Sequence, residues 1–307
     1  MKGLIIKSTG LWYIILSGGE TYRARLRGKF RQLGLRTTNP IAVGDEVIFS
    51  VADNENVSIE EILDRHNYVI RKSTKLSAQA HMIASNIDLA LLIVTLKEPR
   101  TSLGFIDRFL ITTESFRIPV LIAFNKSDLF DESDKIEIER LKQIYSSLGY
   151  ECLTTSTVTG ENLNLVKEKI KGSTTLITGH SGVGKSSLLN TLSPQLDIKT
   201  ADISKMHAKG KHTTTFSEMH FLDDTTNIID TPGIKEIGLF KIKKEELAHF
   251  YPEMREHLGK CKFHNCTHYH EPKCHIQELY MKGEINDIRF ENYLAILDSE
   301  DMNEEEY

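Results

Sequence analysis

A glycine-rich stretch at residues 179–186, GHSGVGKS, constrains the fold of this chain more than any other feature. It has the form GxxxxGKS/T and lies between an apolar segment at 174–178 and a helix-forming segment that starts at Ser187. In that setting the backbone N–H groups of the loop surround phosphate oxygens. We expect Lys185 to reach the β- and γ-phosphates of a nucleotide and the Ser186 hydroxyl to coordinate Mg²⁺. The predicted phosphate-binding residues are Gly179, His180, Ser181, Gly182, Val183, Gly184, Lys185, Ser186 and Ser187.

A second motif, NKSD at 125–128, predicts which base the nucleotide carries. The Asp128 carboxylate can accept hydrogen bonds from both N1–H and the exocyclic amine of guanine, a donor pair that adenine lacks. Asn125 can tether neighbouring loops, and the aliphatic stem of Lys126 can lie over the base plane. The segment that starts at Ser156 stands where the last base-contacting loop of a GTPase is expected, although Thr157 replaces the usual alanine there. The predicted base-binding residues are Asn125, Lys126, Ser127, Asp128, Ser156 and Thr157.

A third motif, DTPG, begins at Asp230 and ends at Gly233, downstream of the phosphate-binding loop. Asp230 suits a water-mediated contact to Mg²⁺, and Gly233 lies on the terminal-phosphate side of the predicted site. Between the two phosphate motifs, residues 209–215 form a polar, threonine-rich loop suited to a first switch. One of its threonines is expected to complete the Mg²⁺ shell. Spacing favours Thr214, and Thr213 is the alternative.

The order of these motifs is unusual, because the base-reading motif precedes both phosphate motifs instead of following them. That order predicts a circularly permuted GTPase. In an ordinary GTPase the last helix ends close to the first strand, so the short segment 171–173 can join the two here. The new ends then open after the strand that ends at Asp230. The loop after Gly233 therefore leads into the C-terminal region. A change in that loop on loss of the γ-phosphate would act on the C-terminal region.

The residue that activates water is harder to predict. Ile234 follows the DTPG motif, where many GTPases have a glutamine that orients the attacking water. Because an isoleucine cannot polarise water, we expect slow unaided hydrolysis. His212 is the candidate catalytic residue, acting together with Lys185. The alternative is that His212 is an ordinary switch-loop or RNA-contacting histidine.

The remaining sequence predicts three domains. Residues 1–66 show short alternating strands separated by glycine and Asp-Asn turns, which favours a small all-β barrel of the OB-fold type. Residues 67–243 alternate apolar strands with helices, as in a doubly wound α/β sheet. Residues 244–307 are predicted to be mostly helical, to bind zinc and to end in an acidic tail.

The barrel carries a run of basic residues at every second position. Because strand side chains alternate between faces, a strand here would display them on one side. A solvated face is the usual fate of such a run, but the stretch 21–36 has six basic residues and no acidic one, which favours a polyanion. The net charge of -5 argues against a protein that coats nucleic acid indiscriminately. The predicted RNA-binding residues are Arg23, Arg25, Arg27, Lys29 and Arg31.

Three of the four cysteines form a cluster with histidines near the C-terminus. The spacing Cys261-x4-Cys266-x-His268-x5-Cys274 supplies three thiolates and an imidazole, a complete tetrahedral set for one structural Zn²⁺. Three further histidines compete for the fourth position: His264, His270 and His275.

Nothing in the sequence suggests export or a membrane. No secretory leader or run of eighteen apolar residues is found, so we expect a cytoplasmic protein without a membrane anchor. Cys152 stands alone in an apolar segment and is expected to be a buried structural thiol.

Taken together, these motifs resemble the RsgA family, also called YjeQ or YloQ. The resemblance covers the barrel, NKSD before GHSGVGKSS, the KHTTT segment, DTPG followed by an aliphatic residue, and the cysteine–histidine cluster. It implies an OB domain, a permuted GTPase domain and a zinc domain that contact the immature small (30S) ribosomal subunit and its 16S rRNA. It also implies GTP hydrolysis stimulated by that subunit, with GDP formation promoting release, and a monomer.

The sequence differs from the family pattern at two places. Tyr22-Arg23 stands where a small residue or cysteine is expected, and Thr157 follows Ser156 where alanine is usual. Two other interpretations stay open at this stage. The chain could be an RNA-binding module whose affinity the nucleotide gates, or a GTPase that acts on tRNA or translation.

Overall fold

The computed structural model describes residues 1–9, 12–26, 37–52, 57–72, 80–196, 217–231, 239, 242–299 and 302. Within these ranges the chain forms an N-terminal barrel, a central sheet covered by helices on both faces, and a C-terminal helical region. No helix among the described residues is long and apolar enough to cross a membrane.

The N-terminal region is a closed five-stranded barrel, as the sequence predicts. The barrel closes because its first strand pairs with both the second and the fifth, in the order β1-β2-β3-β6-β5. Alternate residues of these strands point inward, so that Ile5, Ile15 and Phe49 lie in the barrel core. The barrel strands are β1 (Lys2–Ser8), β2 (Tyr13–Ser17), β3 (Glu20–Leu26), β5 (Glu46–Val51) and β6 (Val57–Ile62).

The central region is the predicted doubly wound sheet, with strand order β11-β10-β9-β12-β14-β13. All neighbouring pairs are parallel except β13 with β14. The strand before the base-reading motif, β10, precedes the strand before the phosphate-binding loop, β12, along the chain, as the permuted motif order requires. The strands are β9 (Leu89–Val94), β10 (Val120–Asn125), β11 (Glu151–Thr155), β12 (Thr174–Thr178), β13 (Glu218–Phe221) and β14 (Asn227–Asp230).

Helices cover both faces of this sheet because its strands carry apolar side chains on both sides. The helices α1 (Leu103–Ser115) and α2 (Glu132–Ser147) pack with Leu92 and Phe124 on one face. The helices α3 (Leu163–Ile170) and α4 (Lys185–Leu192) pack with Ile93 on the other.

The C-terminal region consists of short helices around its own apolar core, which includes Ile111 of α1. The cysteine–histidine cluster lies in the irregular segment before α6. The elements are a 3-10 helix (Lys244–Phe250), α5 (Pro252–Arg255), α6 (His275–Met281) and α7 (Asp287–Leu297).

Two features of the fold were not predicted. A small sheet of β4 (Thr37–Asn39), β7 (Tyr68–Lys72) and β8 (Ala80–Ser85) lies between the barrel and the central sheet. In addition, β1 pairs with β13, so the barrel and the central sheet share one continuous hydrogen-bonded ladder. Predicted element ends differ by a few residues. For example, α1 begins at Leu103 because the Ser102 side chain caps it by accepting from the Phe105 N–H.

Candidate nucleotide and metal sites

The base-reading motif and the phosphate-binding loop meet at one edge of the sheet. Both follow parallel strands that flank β9, so their loops leave the sheet at the same edge. The Asn125 side-chain amide donates to the backbone carbonyl of Val183 at 2.8 Å. Its oxygen accepts from the buried Thr155 hydroxyl at 3.1 Å. Asn125 therefore connects the two loops directly, across 58 positions of sequence.

The shape of the phosphate loop depends on two of its glycines. Gly179 has φ +146°, and a Cβ there would lie 2.2 Å from the Ile93 carbonyl oxygen. Gly184 has φ +100°, and a Cβ there would lie 2.4 Å from the Asn125 amide nitrogen. A side chain at either position would clash with the neighbouring loop or strand, so only glycine fits.

Lys185 and Asp230 face each other across this loop. Lys185 is the first residue of α4, and its Nζ donates to the carbonyls of Gly179 at 2.7 Å and His180 at 2.8 Å. Burial lowers the pKa of Lys185, and the charge of Asp230 opposes that shift. Burial raises the pKa of Asp230, and Lys185 opposes it. Asp230 Oδ1 is buried without a hydrogen-bond partner among the described residues, which fits a carboxylate that faces a hydrated cation.

The other predicted phosphate-site residues lie along the same loop and the first turn of α4. Ser181, Gly182 and Val183 form the loop, and Ser186 and Ser187 follow Lys185 in the helix.

The loop also contacts α1, which the sequence does not suggest. The His180 ring lies 3.9 Å from the Phe105 ring between centroids. The N-terminal part of α1 therefore supports the phosphate-binding loop.

The predicted base-binding residues form a network of side-chain and backbone hydrogen bonds. The Ser156 hydroxyl donates to Asp128 at 2.5 Å and accepts from the N–H groups of Val158 and Thr159 at 3.1 and 3.2 Å. Lys126 has a left-handed backbone, φ +66°, and its ammonium donates to the Glu98 carbonyl. Thr157 lies in the turn between Ser156 and Thr159. The segment from 156 to 159 thus holds the Asp128 carboxylate in place.

A second contact across the base site joins Ser127 to Glu161. The Ser127 hydroxyl donates to the Glu161 carboxylate at 2.5 Å. Glu161 and Thr155 were not among the predicted site residues. A threonine before Ser156 and an acid after Gly160 are common in loops, so neither carried a signal of its own.

Three predicted residues of the nucleotide site lie outside the described residues: His212, Thr214 and Gly233. Their assignments as catalytic residue, Mg²⁺ ligand and γ-phosphate contact stay predictions from the sequence.

The four predicted zinc ligands converge, with their ligand atoms all within 4.8 Å of one another. Cys261 Sγ lies 3.6 Å from His268 Nδ1 and 3.9 Å from Cys274 Sγ, and His268 Nδ1 lies 3.3 Å from Cys274 Sγ. Tetrahedral Zn²⁺ with Zn–S bonds of about 2.3 Å separates its sulfur ligands by about 3.8 Å, so this donor set fits zinc. Burial raises the pKa of the Cys266 and Cys274 thiols, which therefore need a cation to ionise at neutral pH.

The three competing histidines point elsewhere. His264 is exposed, the His270 ring stacks on Tyr269 with centroids 3.7 Å apart, and the His275 ring faces His257 at 5.4 Å. His268 is the histidine that lies with the three cysteines.

The cluster is held by a second layer of contacts. The Glu271 carboxylate accepts from the backbone N–H and hydroxyl of Thr267 and from the Tyr269 N–H, at 2.7–3.0 Å. Partial burial opposes ionisation of Glu271, but these hydrogen bonds prevail and lower its pKa to about 2. The Tyr293 hydroxyl of α7 donates to the Thr267 carbonyl at 2.8 Å. These contacts fix the backbone on either side of His268.

The predicted basic strand is described in part. Arg23 and Arg25 lie exposed on β3, and their guanidinium carbons are 4.0 and 3.6 Å from the Trp12 ring centroid. Neither arginine forms an ion pair with a described carboxylate. Arg27, Lys29 and Arg31 lie outside the described residues.

Comparisons with known proteins agree with this architecture. The RsgA N-terminal domain family matches residues 2–59, and the RsgA GTPase family matches residues 62–240. A small ribosomal subunit biogenesis GTPase RsgA from Cytophaga hutchinsonii is 49% identical, covering 98% of this chain and 99% of that protein. A protein of the same name from Christiangramia forsetii is 46% identical, covering 99% of this chain and 98% of that protein.

Two crystal structures have the same fold. YjeQ from Thermotoga maritima superposes with a TM-score of 0.75 at 33% identity, covering 96% of each chain. YloQ, described as a circularly permuted GTPase, superposes with a TM-score of 0.72 at 28% identity, covering 100% of this chain and 96% of that chain. The family match and the whole-chain relatives confirm the resemblance seen in the motifs, and this chain belongs to the RsgA family of GTPases.

Proposed function

We propose that this chain is a GTP-hydrolysing assembly factor that acts in late maturation of the small (30S) ribosomal subunit. It binds the subunit and its 16S rRNA in the GTP-bound form and leaves when GTP is hydrolysed. Relatives of 44–49% identity over the whole chain carry the name small ribosomal subunit biogenesis GTPase. The protein works in the cytoplasm as a monomer.

One observation carries the enzymatic part of this proposal: the hydrogen bond from Asn125 to Val183. It brings the Asp128 carboxylate and the phosphate-binding loop to opposite ends of a single site. A base held at Asp128 therefore directs its phosphates toward Lys185. The carboxylate accepts two hydrogen bonds from guanine and none from adenine in the same position, so the nucleotide is GTP or GDP.

The residues of the proposed nucleotide site have distinct tasks during hydrolysis. Lys185 turns from the carbonyls of Gly179 and His180 toward the phosphates and stabilises the charge that develops on them. Ser186 and Thr214 would coordinate Mg²⁺ directly and Asp230 would hold it through water, and the bound ion would supply positive charge beside the phosphates. Ile234 cannot orient water, so His212 is the proposed group that does so, and the subunit accelerates the reaction by placing His212 against that water.

The proposed zinc ion has a structural task. Cys261, Cys266, His268 and Cys274 occupy all four positions of a tetrahedral site, which leaves no open position for catalysis. The exposed Arg23 and Arg25 supply part of the RNA-binding surface of the barrel, and Arg27, Lys29 and Arg31 extend it.

The test is steady-state GTP turnover by the full chain with and without purified small subunits. We expect stimulation by small subunits and little by large subunits or tRNA, with the Lys185→Ala variant inactive in each case. Co-sedimentation should show binding to small subunits with a non-hydrolysable GTP analogue and release with GDP. Unstimulated turnover would favour an RNA-binding module gated by nucleotide. Equal binding to small subunits, large subunits and tRNA would contradict an assembly role.

A further inference from the structure

The strand β1 belongs to two cores at once. Its inward face contributes Ile5, which is fully buried in the barrel. Its outward face contributes Leu4 and Ile6, which pack against the core of the GTPase sheet together with Met219 and Ile229. A strand with both faces covered cannot shift against one core without disturbing the other.

The edge of β1 is bonded directly to the GTPase sheet. Lys7 is in register with Glu218 on β13, and its ammonium lies 2.8 Å from the Glu218 carboxylate. The Ser8 N–H donates to the Ser217 carbonyl at 3.3 Å. Glu218 is in turn in register with Asp230 on β14. Lys7, Glu218 and Asp230 therefore stand side by side on three adjacent strands.

A second set of contacts joins the barrel to β8 of the small sheet. Gly44, between the barrel strands, has φ +97°, and a Cβ there would lie 2.2 Å from the Ser85 carbonyl oxygen and 3.4 Å from Ile229 Cδ1. The next residue, Asp45, is fully buried and accepts from the Ser85 hydroxyl at 2.5 Å and from Arg65. These contacts hold the barrel against β8 beside its junction with β13.

We propose that Lys7 is a positioning residue for GTP hydrolysis: when RNA binds the barrel, Lys7 acts through Glu218 on Asp230 at the nucleotide site. This inference depends on the proposed function, because the occupant of the barrel is the RNA of the small subunit. β3, which carries Arg23 and Arg25, pairs with β2, and β2 pairs with β1 in the same ladder. RNA that binds the arginines of β3 displaces or stiffens β1. The Lys7–Glu218 pair then carries that change to β13 and β14.

The Lys7–Glu218 pair suits mutagenesis because it contributes little to stability. Both side chains are more than a third exposed, and such pairs contribute about 0–1 kcal/mol. Charge reversal at either position places like charges opposite each other at the junction, whereas the double reversal restores attraction. The chain also offers a matched control in the same strand. Lys2 forms a similar exposed pair with Glu46 at 2.9 Å, but that pair lies entirely within the barrel.

The experiment compares Lys7→Glu, Glu218→Lys, the double variant and Lys2→Glu in full-length protein. For each, kcat and KM for GTP are measured alone and with saturating small subunits, and subunit affinity is measured by co-sedimentation. We expect Lys7→Glu and Glu218→Lys each to lose stimulation by about fivefold or more, with basal kcat and KM unchanged in Lys7→Glu. The double variant should regain it, and Lys2→Glu should behave as wild type.

Three results would overturn the inference: full stimulation of Lys7→Glu, no recovery in the double variant, or an equal loss in Lys2→Glu. A wild-type protein that small subunits do not stimulate would instead refute the proposed function, and the coupling with it. The two failures are distinguishable because only the second concerns the unmodified chain.

Discussion

Arg289 of α7 donates to Asp107 of α1 at 2.5 Å, and both side chains are at most 1% exposed. The same guanidinium donates to Glu253 at 2.7 Å, and Asn292 and Tyr145 donate to Asp107 at 2.6 and 3.1 Å. This buried charge cluster joins the C-terminal region to the GTPase sheet. Since α1 also supports the phosphate-binding loop, the C-terminal region and the nucleotide site share one helix.

Replacing Arg289 with alanine should destabilise the protein strongly. It leaves Asp107 and Glu253 buried without their cation, a loss that typically costs about 3–5 kcal/mol. Urea unfolding followed by circular dichroism measures the change in the free energy of unfolding. Arg255→Ala is the control, because Arg255 pairs with Glu114 of α1 at 2.8 Å in an exposed position and should cost about 1 kcal/mol or less. Equal losses in the two variants would show that the buried cluster does not hold the regions together.

Replacing Asp128 with asparagine should weaken selection of guanine. The change exchanges a carboxylate that accepts two hydrogen bonds for an amide that offers one acceptor and a mismatched donor. Loss of one charge-assisted hydrogen bond costs about 1.5–3 kcal/mol, or roughly a 10- to 150-fold drop in GTP affinity. Competition binding of GTP, XTP and ATP measures the preference, and XTP should gain relative to GTP. If discrimination between GTP and ATP is unchanged, Asp128 does not read the base.

Local sequence predicts that the base-reading motif and the phosphate-binding loop meet, because backbone geometry requires particular residues there. Gly179 and Gly184 have positive φ and leave no room for a Cβ, so a loop of this shape must show glycine at fixed spacing. Parallel strands then bring Asn125 beside the loop. The zinc ligands are similarly predictable, because their chemistry restricts the residue types and their spacing is short.

Contacts between distant segments could not be predicted in the same way. Arg289 looks like any surface arginine of a helix, and its partner Asp107 lies 182 positions away. The pairing of β1 with β13 joins segments that are about two hundred residues apart, and neither strand carries a sign of it. Lys7 and Glu218 are ordinary exposed charges until the fold places them opposite each other. Such contacts depend on packing between domains, which the local pattern does not encode.

Replacing His212 with alanine should slow hydrolysis without abolishing nucleotide binding. His212 is the candidate for activating water, because Ile234 stands where a polar side chain is usual. General-base or water-positioning groups typically contribute about 10²–10⁴-fold to kcat. Single-turnover hydrolysis with small subunits measures the rate, and GDP and GTP-analogue affinities report binding. His66→Ala is the control, since His66 is exposed between β6 and β7 and belongs to none of the nucleotide motifs. An unaltered rate in His212→Ala would exclude a catalytic role.

The zinc site makes a prediction that separates His268 from its neighbours. Purified protein should contain one zinc ion per chain, measured by atomic absorption. His268→Ala should lose most of it, because His268 Nδ1 lies within 3.6 Å of the Cys261 and Cys274 sulfurs. His264→Ala should retain the metal, because His264 is exposed. Cys152→Ala is a further control, since that thiol lies on β11 in the GTPase sheet.

Zinc loss should unfold the C-terminal region and leave the nucleotide site folded. The thiols of Cys266 and Cys274 share the apolar core of that region with Met254 and Tyr293, so the ion and the core stabilise each other. Chelation should therefore lower the thermal stability of the region while GDP still binds. If His264→Ala loses zinc and His268→Ala keeps it, the fourth ligand is assigned wrongly. A metal-free protein of unchanged stability would show that the four side chains form a site without a structural ion.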